Sequence, residues 1–356
     1  MTNNLDNIEA MRKLDTADIL QKTREMPEQI ERCWSDWKTI AIPAHFATAK
    51  NVLILGMGGS GIGAALTIAL AKYDCPMVVE VSRDYNIPAW VDKSTLVIGV
   101  SFSGNTEETL EGFRQAANKT EKLITISTGG KLASLGSQHR ALHYQINYDS
   151  QPRSAIGFSL TSLLAIFAKL RFLEIRDNDM NEVVTCLNTL LEKIDADVLS
   201  YRNPAKLLAQ KLVGKIPVIL GSGVLAEVAR RWKGHLNENA KNQAYFEEIP
   251  EMNHNALVGL EYPEELGKKV FFILLESKFN LDRNKRRSMI VSQILTQRKV
   301  GFESVSVDTN CGRIAEMYQM IMFGDFVAYY LAILNNVEPE PVKIITFLKD
   351  RLAEKE

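Results

Sequence analysis

From residue 51 onward, short apolar runs alternate with longer segments of helical periodicity. The first runs are Asn51-Val-Leu-Ile-Leu55, Val78-Val-Glu-Val81, Leu96-Val-Ile-Gly-Val100, Leu123-Ile-Thr-Ile126 and Leu142-His-Tyr-Gln-Ile146. Strands separated by helix-length segments predict βαβ units and a parallel sheet, an α/β fold. Residues 1–48 carry 3.6-residue spacing instead, as in Ile30-Glu-Arg-Cys-Trp34, and are expected to pack as a helical lead-in. Residues 154–213 return to long helical patterns and read as a connecting segment. A second β-rich set follows: Pro217-Val-Ile-Leu220, Gln243-Ala-Tyr-Phe246, Val270-Phe-Phe-Ile-Leu-Leu275 and Glu303-Ser-Val-Ser-Val307. Residues 311–335 read as an apolar helix, Asn335-Asn-Val-Glu-Pro-Glu-Pro341 breaks it, and a short amphipathic helix ends the chain. The expected organisation is therefore a lead-in (1–48), a first sheet domain (49–153), a connector (154–213), a second sheet domain (214–335) and a C-terminal helix (336–356).

The two sheet domains open alike. Asn51-Val-Leu-Ile-Leu-Gly-Met-Gly58 and Pro217-Val-Ile-Leu-Gly-Ser-Gly223 are both apolar strands running into glycines, which suggests two similar subdomains.

At 356 residues the length suits two α/β domains. Its 46% hydrophobic and 24% charged residues place it among globular rather than disordered chains. A formal charge of −1 gives no reason to expect nucleic acid or an anionic membrane as partner. No uninterrupted apolar run reaches membrane-helix length, and the first twenty residues lack a signal core, so a cytoplasmic location is expected. Cys33, Cys75, Cys186 and Cys311 lie far apart without a CxxC pair and read as reduced thiols.

Gly56-Met-Gly58-Gly59-Ser60-Gly61 satisfies GxGxxG between a strand and a helix, and Glu80 lies where a ribose-binding acid could follow. The motif is generic, because glycines let amides approach any anion at a helix N-terminus. A tight turn without a ligand has the same sequence. The next strand but one ends in Ser101-Phe-Ser103-Gly-Asn-Thr106-Glu-Glu. Hydroxyls at 101, 103 and 106 at a helix start can cup a tetrahedral dianion, with amides and the helix dipole supplying positive potential. A diphosphate site has no need of this second loop. An ordinary N-cap, with Glu107 or Glu108 completing a capping box, is the plainer reading of the same residues.

Taken together, the glycine loop, the Ser101–Thr106 loop, Thr128-Gly-Gly-Lys131 and Gln151-Pro-Arg153-Ser resemble the SIS (sugar isomerase) family. Leu236-Asn-Glu238-Asn-Ala-Lys241, Pro250-Glu-Met-Asn-His254-Asn and the ending Ile345-Thr-Phe-Leu-Lys349 narrow the resemblance to bifunctional phosphoglucose/phosphomannose isomerases. The resemblance implies two SIS-type subdomains, each a parallel sheet flanked by helices. It also implies aldose–ketose isomerisation of glucose 6-phosphate, and of mannose 6-phosphate, to fructose 6-phosphate through an enediolate. Gly59, Ser60, Ser101, Ser103 and Thr106 would hold the phosphate.

Such an isomerase needs a base that returns its proton, a stabiliser of the developing oxyanion, and an acid/base pair for ring opening. Spacing alone makes Glu238 a solvated helix residue, outside the stripe Val228, Trp232 and Leu236; its motif implies the base. Arg153, whose backbone follows Pro152, reads as the enediolate stabiliser. The resemblance gives ring opening to His254, contributed across a homodimer interface, and to Lys349 on the last helix. His235, four residues from Arg231, reads as a surface residue. No metal-binding HxH or HExxH spacing is present, and neither metal nor cofactor is expected.

Two departures stand out. Phe102 lies between the serines and should face away from the phosphate, and Val342 lies where mannose-accepting members often carry threonine, which bears on dual specificity. After strand-like 270–275 comes Glu276 rather than a second hydroxyl loop, so one sugar phosphate per chain is expected. A non-catalytic SIS sugar-phosphate sensor would keep the cup without Glu238, Arg153 and His254 in motif context. A nicotinamide-dependent oxidoreductase would use the glycine loop for a dinucleotide.

Overall fold

The computed structural model describes residues 5–308 and 310–354. They form two compact units: one is built from 25–188 with the 308–319 segment, the other from the described parts of 1–24, 189–307 and 320–356.

The unit containing residues 25–188 is organised around five parallel strands: β1 (Asn51–Leu55), β2 (Val78–Ser82), β3 (Thr95–Val100), β4 (Leu123–Ser127) and β5 (Leu142–Gln145). Their spatial order is β2-β1-β3-β4-β5. Alternate side chains of each strand enter different cores, as a period of two demands. Val52 and Ile54 of β1 join Leu96, Ile98, Ile124 and Ile126 on one face, under Trp37, Phe158 and Phe167 from helices Met26–Thr39 and Ile156–Lys169. Leu53 and Leu55 join Val97, Leu110, Phe113 and Leu132 on the other, under helices Glu107–Ala117 and Gly130–Gln138. Covered on both faces, β3 and β4 are buried along their whole length and so consist of nearly continuous apolar residues. Each fully buried Leu, Ile or Phe contributes about 1.5–3 kcal/mol.

The order has a functional consequence. β1 and β3 are neighbours, yet β1 leads through helix Gly58–Ala71 toward β2 while β3 leads through Glu107–Ala117 toward β4. The two connections depart on opposite sides, leaving a crevice at the carboxyl ends of these strands, the usual ligand position in open α/β sheets.

The other unit repeats the pattern. β6 (Ile216–Ser222), β7 (Tyr245–Ile249), β8 (Val270–Leu275) and β9 (Gly301–Val305) are parallel in the order β7-β6-β8-β9, the same winding with one strand fewer. Leu220, Phe272, Leu274, Val291 and Leu295 form its core beside helix Asp282–Gln297. Two strands begin or end away from their expected positions: 243–246 is realised as Tyr245–Ile249, and 303–307 as Gly301–Val305. Helix Arg313–Leu334 is long and apolar enough to cross a membrane, but 94% of its apolar window is buried within the protein, which marks it as a core helix.

Candidate functional site

The loops after β1 and β3 are tied to each other. Helix Gly58–Ala71 carries Ser60 in its first turn, and the Ser60 hydroxyl accepts the Phe102 amide at 3.3 Å. Ser101, 1% exposed, forms the floor: its hydroxyl lies 2.9 Å from the Thr106 hydroxyl and accepts the Thr106 amide at 3.4 Å. Thr106 is the N-cap of helix Glu107–Ala117, yet its side chain makes no capping bond. Its third helical residue is Thr109, so neither glutamate can complete a capping box. The hydroxyl is turned toward Ser101 instead. Ser103 is exposed at the rim, its hydroxyl accepting the Asn105 amide at 3.3 Å. Phe102 points into the core at 8% exposure, away from the cup, as its place between two serines requires.

A third loop braces this one. Thr128, after β4, donates both its amide (2.8 Å) and its hydroxyl (2.9 Å) to the Phe102 carbonyl. Gly104 allows the approach: its φ is +69°, and a Cβ there would lie 1.9 Å from the Gly129 carbonyl oxygen. The role of Thr128 leaves no trace in its motif, because a contact between loops has no local pattern.

Arg153 lies with its backbone against the glycine turn. It sits in a short 3-10 turn, Pro152–Ser154, and its side chain is buried. A Cβ on Gly59 would lie 3.0 Å from the Pro152 carbonyl and 3.1 Å from the Arg153 amide nitrogen, so the glycine turn and this segment touch. Thus Gly59, Ser60, Ser101, Thr106 and the Arg153 backbone converge, at the ends of two helices whose partial positive charge favours an anion.

The dinucleotide reading fares poorly in this geometry. Glu80 pairs with Leu53 in mid-strand, and Ser82 occupies the strand end level with Leu55. A ribose-binding acid belongs at that end.

The remaining candidates belong to the other unit. Glu238 is the last residue of helix Val224–Glu238 and is half-buried; its carbonyl accepts the Lys241 ammonium at 2.8 Å. His254 is exposed, closing the short turn Glu251–His254 after β7. Lys349 is exposed on helix Lys343–Ala353, whose Ile344 (86%), Phe347 (61%) and Leu352 (65%) are also open to solvent. Where a second cup would lie, Glu276 accepts the Ser288 hydroxyl at 2.6 Å and Ser222 accepts the Asn284 amide group at 2.8 Å.

His235 is not at the surface. It is 5% exposed, and its Nδ1 lies 3.0 Å from Asp325 Oδ1, while Arg231 donates to Asp325 Oδ2 at 2.7 Å. Burial pushes the Asp325 carboxyl up, to about 6, against the downward pull of the Arg231 guanidinium. His235 was expected at the surface, because an apolar periodicity cannot reveal a buried counter-charge arriving from a distant helix.

Comparison with known families agrees with this geometry. A SIS domain family matches residues 45–170, and the family described as the bacterial phospho-glucose isomerase C-terminal SIS domain matches 201–352. The C-terminal domain of glucosamine-fructose-6-phosphate aminotransferase from Francisella tularensis shares the fold, with a TM-score of 0.69 at 15% identity over 91% of this chain and 98% of its own. The molecule is therefore a protein of two SIS domains. Within that class it belongs to the bifunctional phosphoglucose/phosphomannose isomerase family. The member so named from Caldicellulosiruptor bescii is 38% identical over 94% of this chain and 99% of its own length. One from Aquifex aeolicus is 32% identical over 89% and 94%.

Proposed function

We propose that this chain interconverts glucose 6-phosphate, and mannose 6-phosphate, with fructose 6-phosphate. The observation that carries the reading is the hydroxyl-lined cup at the β1/β3 switch point, in a chain of this family. Ser60, Ser103, Thr106 and the amides of the two helix starts hold the phosphate, and buried Ser101 orients Thr106. Glu238 takes the proton from C2 of the open-chain aldose, leaving a cis-enediolate, and delivers it to C1 as the O2 hydroxyl proton passes to O1 and the C2 carbonyl forms. The electron pair of the broken C2–H bond forms the C1–C2 double bond as the carbonyl oxygen takes up charge, and Arg153 stabilises that charge. His254 and Lys349 shuttle protons between ring oxygen and O1 during ring opening.

Two features support action as a homodimer in which His254 serves the neighbouring copy's site. His254 is exposed among open apolar side chains, with Val258 at 69% and Tyr262 at 74% exposure, and helix Lys343–Ala353 leaves an apolar face uncovered. Free thiols at all four cysteines, with Cys33 pushed up to about 12 by burial, suit a reducing cytoplasm.

The test is direct. Purified protein should convert each aldose phosphate to fructose 6-phosphate in an assay coupled to product formation. Binding of either sugar phosphate without turnover would leave a sensor and refute the proposal.

A further inference from the structure

Glu238 ends a helix that is held to Arg313–Leu334 by more than apolar packing. The Trp232 indole stacks on Phe323 with centroids 5.9 Å apart and donates to the Met320 carbonyl at 2.8 Å. Arg231, next to Trp232, and His235, one helical turn further on, both reach Asp325, and the three side chains are 1–6% exposed. Beyond Glu238 the chain is held again: Asn335 donates to the Ala240 carbonyl at 3.0 Å, and Lys241 donates to the Pro339 carbonyl at 2.8 Å. The Asn239 amide returns to the His235 carbonyl at 2.8 Å.

A buried ionic group is a poor way to gain stability, since well-packed apolar side chains of similar volume usually do as well. It is an effective way to fix register. Rotating or sliding the helix by one residue would strand the Arg231 charge, at a cost of about 3–5 kcal/mol. Apolar contacts would tolerate the same displacement far better. His235, the member nearest Glu238, sits one turn before it at the end of the helix.

We propose that Asp325 and His235 are positioning residues for Glu238: the carboxylate, anchored by Arg231, fixes the last helical turn through His235 and so sets the aim of the Glu238 side chain. The inference rests on Glu238 being the base.

The test uses full-length protein and isomerisation kinetics. His235→Met and His235→Phe remove the nitrogen beside Asp325 while keeping bulk, two variants in case one fails to fold. His235→Gln keeps a polar side chain beside Asp325. We expect the apolar variants to lose about 10- to 100-fold in kcat, as small misplacements of a reacting group do. Their KM, and inhibition by inorganic phosphate, should stay within about twofold. His235→Gln should retain kcat within about threefold. Added to Glu238→Gln, His235→Met should change the residual rate by less than about twofold, since the group it positions is gone. Unchanged kcat in both apolar variants overturns the inference, as does a loss that multiplies onto Glu238→Gln. Full turnover in Glu238→Gln alone overturns the base assignment itself, and the inference with it.

Discussion

Replacing Gly104 by alanine tests the cup at its tightest point. Gly104 has φ +69°, and the added methyl would sit 1.9 Å from the Gly129 carbonyl oxygen, 2.8 Å from the carbon of that carbonyl and 3.1 Å from the Gly130 Cα. All three are main-chain atoms, so no side chain can swing aside. The strand-end loops must part by more than an ångström, against the Leu132 amide on the Gly104 carbonyl (2.8 Å) and the Thr128 bonds to Phe102. Left-handed backbone costs alanine about 1–2 kcal/mol. Overpacking adds about 1–3 kcal/mol. The expected loss is therefore ~2–5 kcal/mol, and moving Ser103 and Thr106 should raise KM by about tenfold or more. Gly58→Ala is the control: its φ is +49° but nothing lies within 4 Å of the added carbon, so it pays the backbone term alone. Urea denaturation with steady-state kinetics reads both effects. A Gly104→Ala protein with the parent's midpoint and KM, or one no worse than Gly58→Ala, would refute the loop packing described above.

Three further outcomes are expected. Ser103→Ala with Thr106→Ala should raise KM by about 100- to 10,000-fold with kcat nearly unchanged, each of the two lost charge-assisted bonds being worth about 1.5–3 kcal/mol when made; a fall confined to kcat would move the phosphate elsewhere. The buried Asp325 carboxyl titrates at about 6 in the folded protein against 3.8 when exposed, so its protonated form is favoured by folding. Its contribution is full below pH ~4 and is lost as pH rises through 6. Relative to Asp325→Asn, the parent should therefore lose up to ~3 kcal/mol between pH 4 and pH 7 in urea titrations, and a constant difference would contradict this. Ile344→Lys with Leu348→Lys should shift sedimentation from dimer to monomer if the last helix meets a second copy, and an unchanged dimer would place the interface elsewhere.

Much of the fold was legible because its strands are buried on both faces. Runs such as Leu96–Val100 and Val270–Leu275 are apolar without interruption and lie within a residue of the observed strands. The extent of β7 was less visible: Tyr245-Phe-Glu-Glu-Ile249 carries two glutamates on an edge strand, so apolar content is concentrated at its first residues and the strand runs further than that content shows. The cup was legible as a list of residues, because hydroxyls crowd into six positions, but its construction was not. That Thr106 turns from capping to face Ser101, or that Gly59 yields to Pro152, depends on loops distant in sequence. His235 was misread for a related reason. Its partner Asp325 lies about ninety residues away in the apolar stretch 320–334 of a long helix, and one acid in that stretch carries no periodic signal.

The central claim is a carboxylate that carries one proton between adjacent carbons of a sugar held by its phosphate. The most direct measurement is deuterium incorporation at C2 of glucose 6-phosphate in heavy water, followed by NMR, with the affinity for inorganic phosphate measured in parallel. The native protein should exchange C2 hydrogen, while Glu238→Gln should bind phosphate equally well and exchange nothing above background. Exchange at the native rate in Glu238→Gln would assign the proton to another residue and contradict the account.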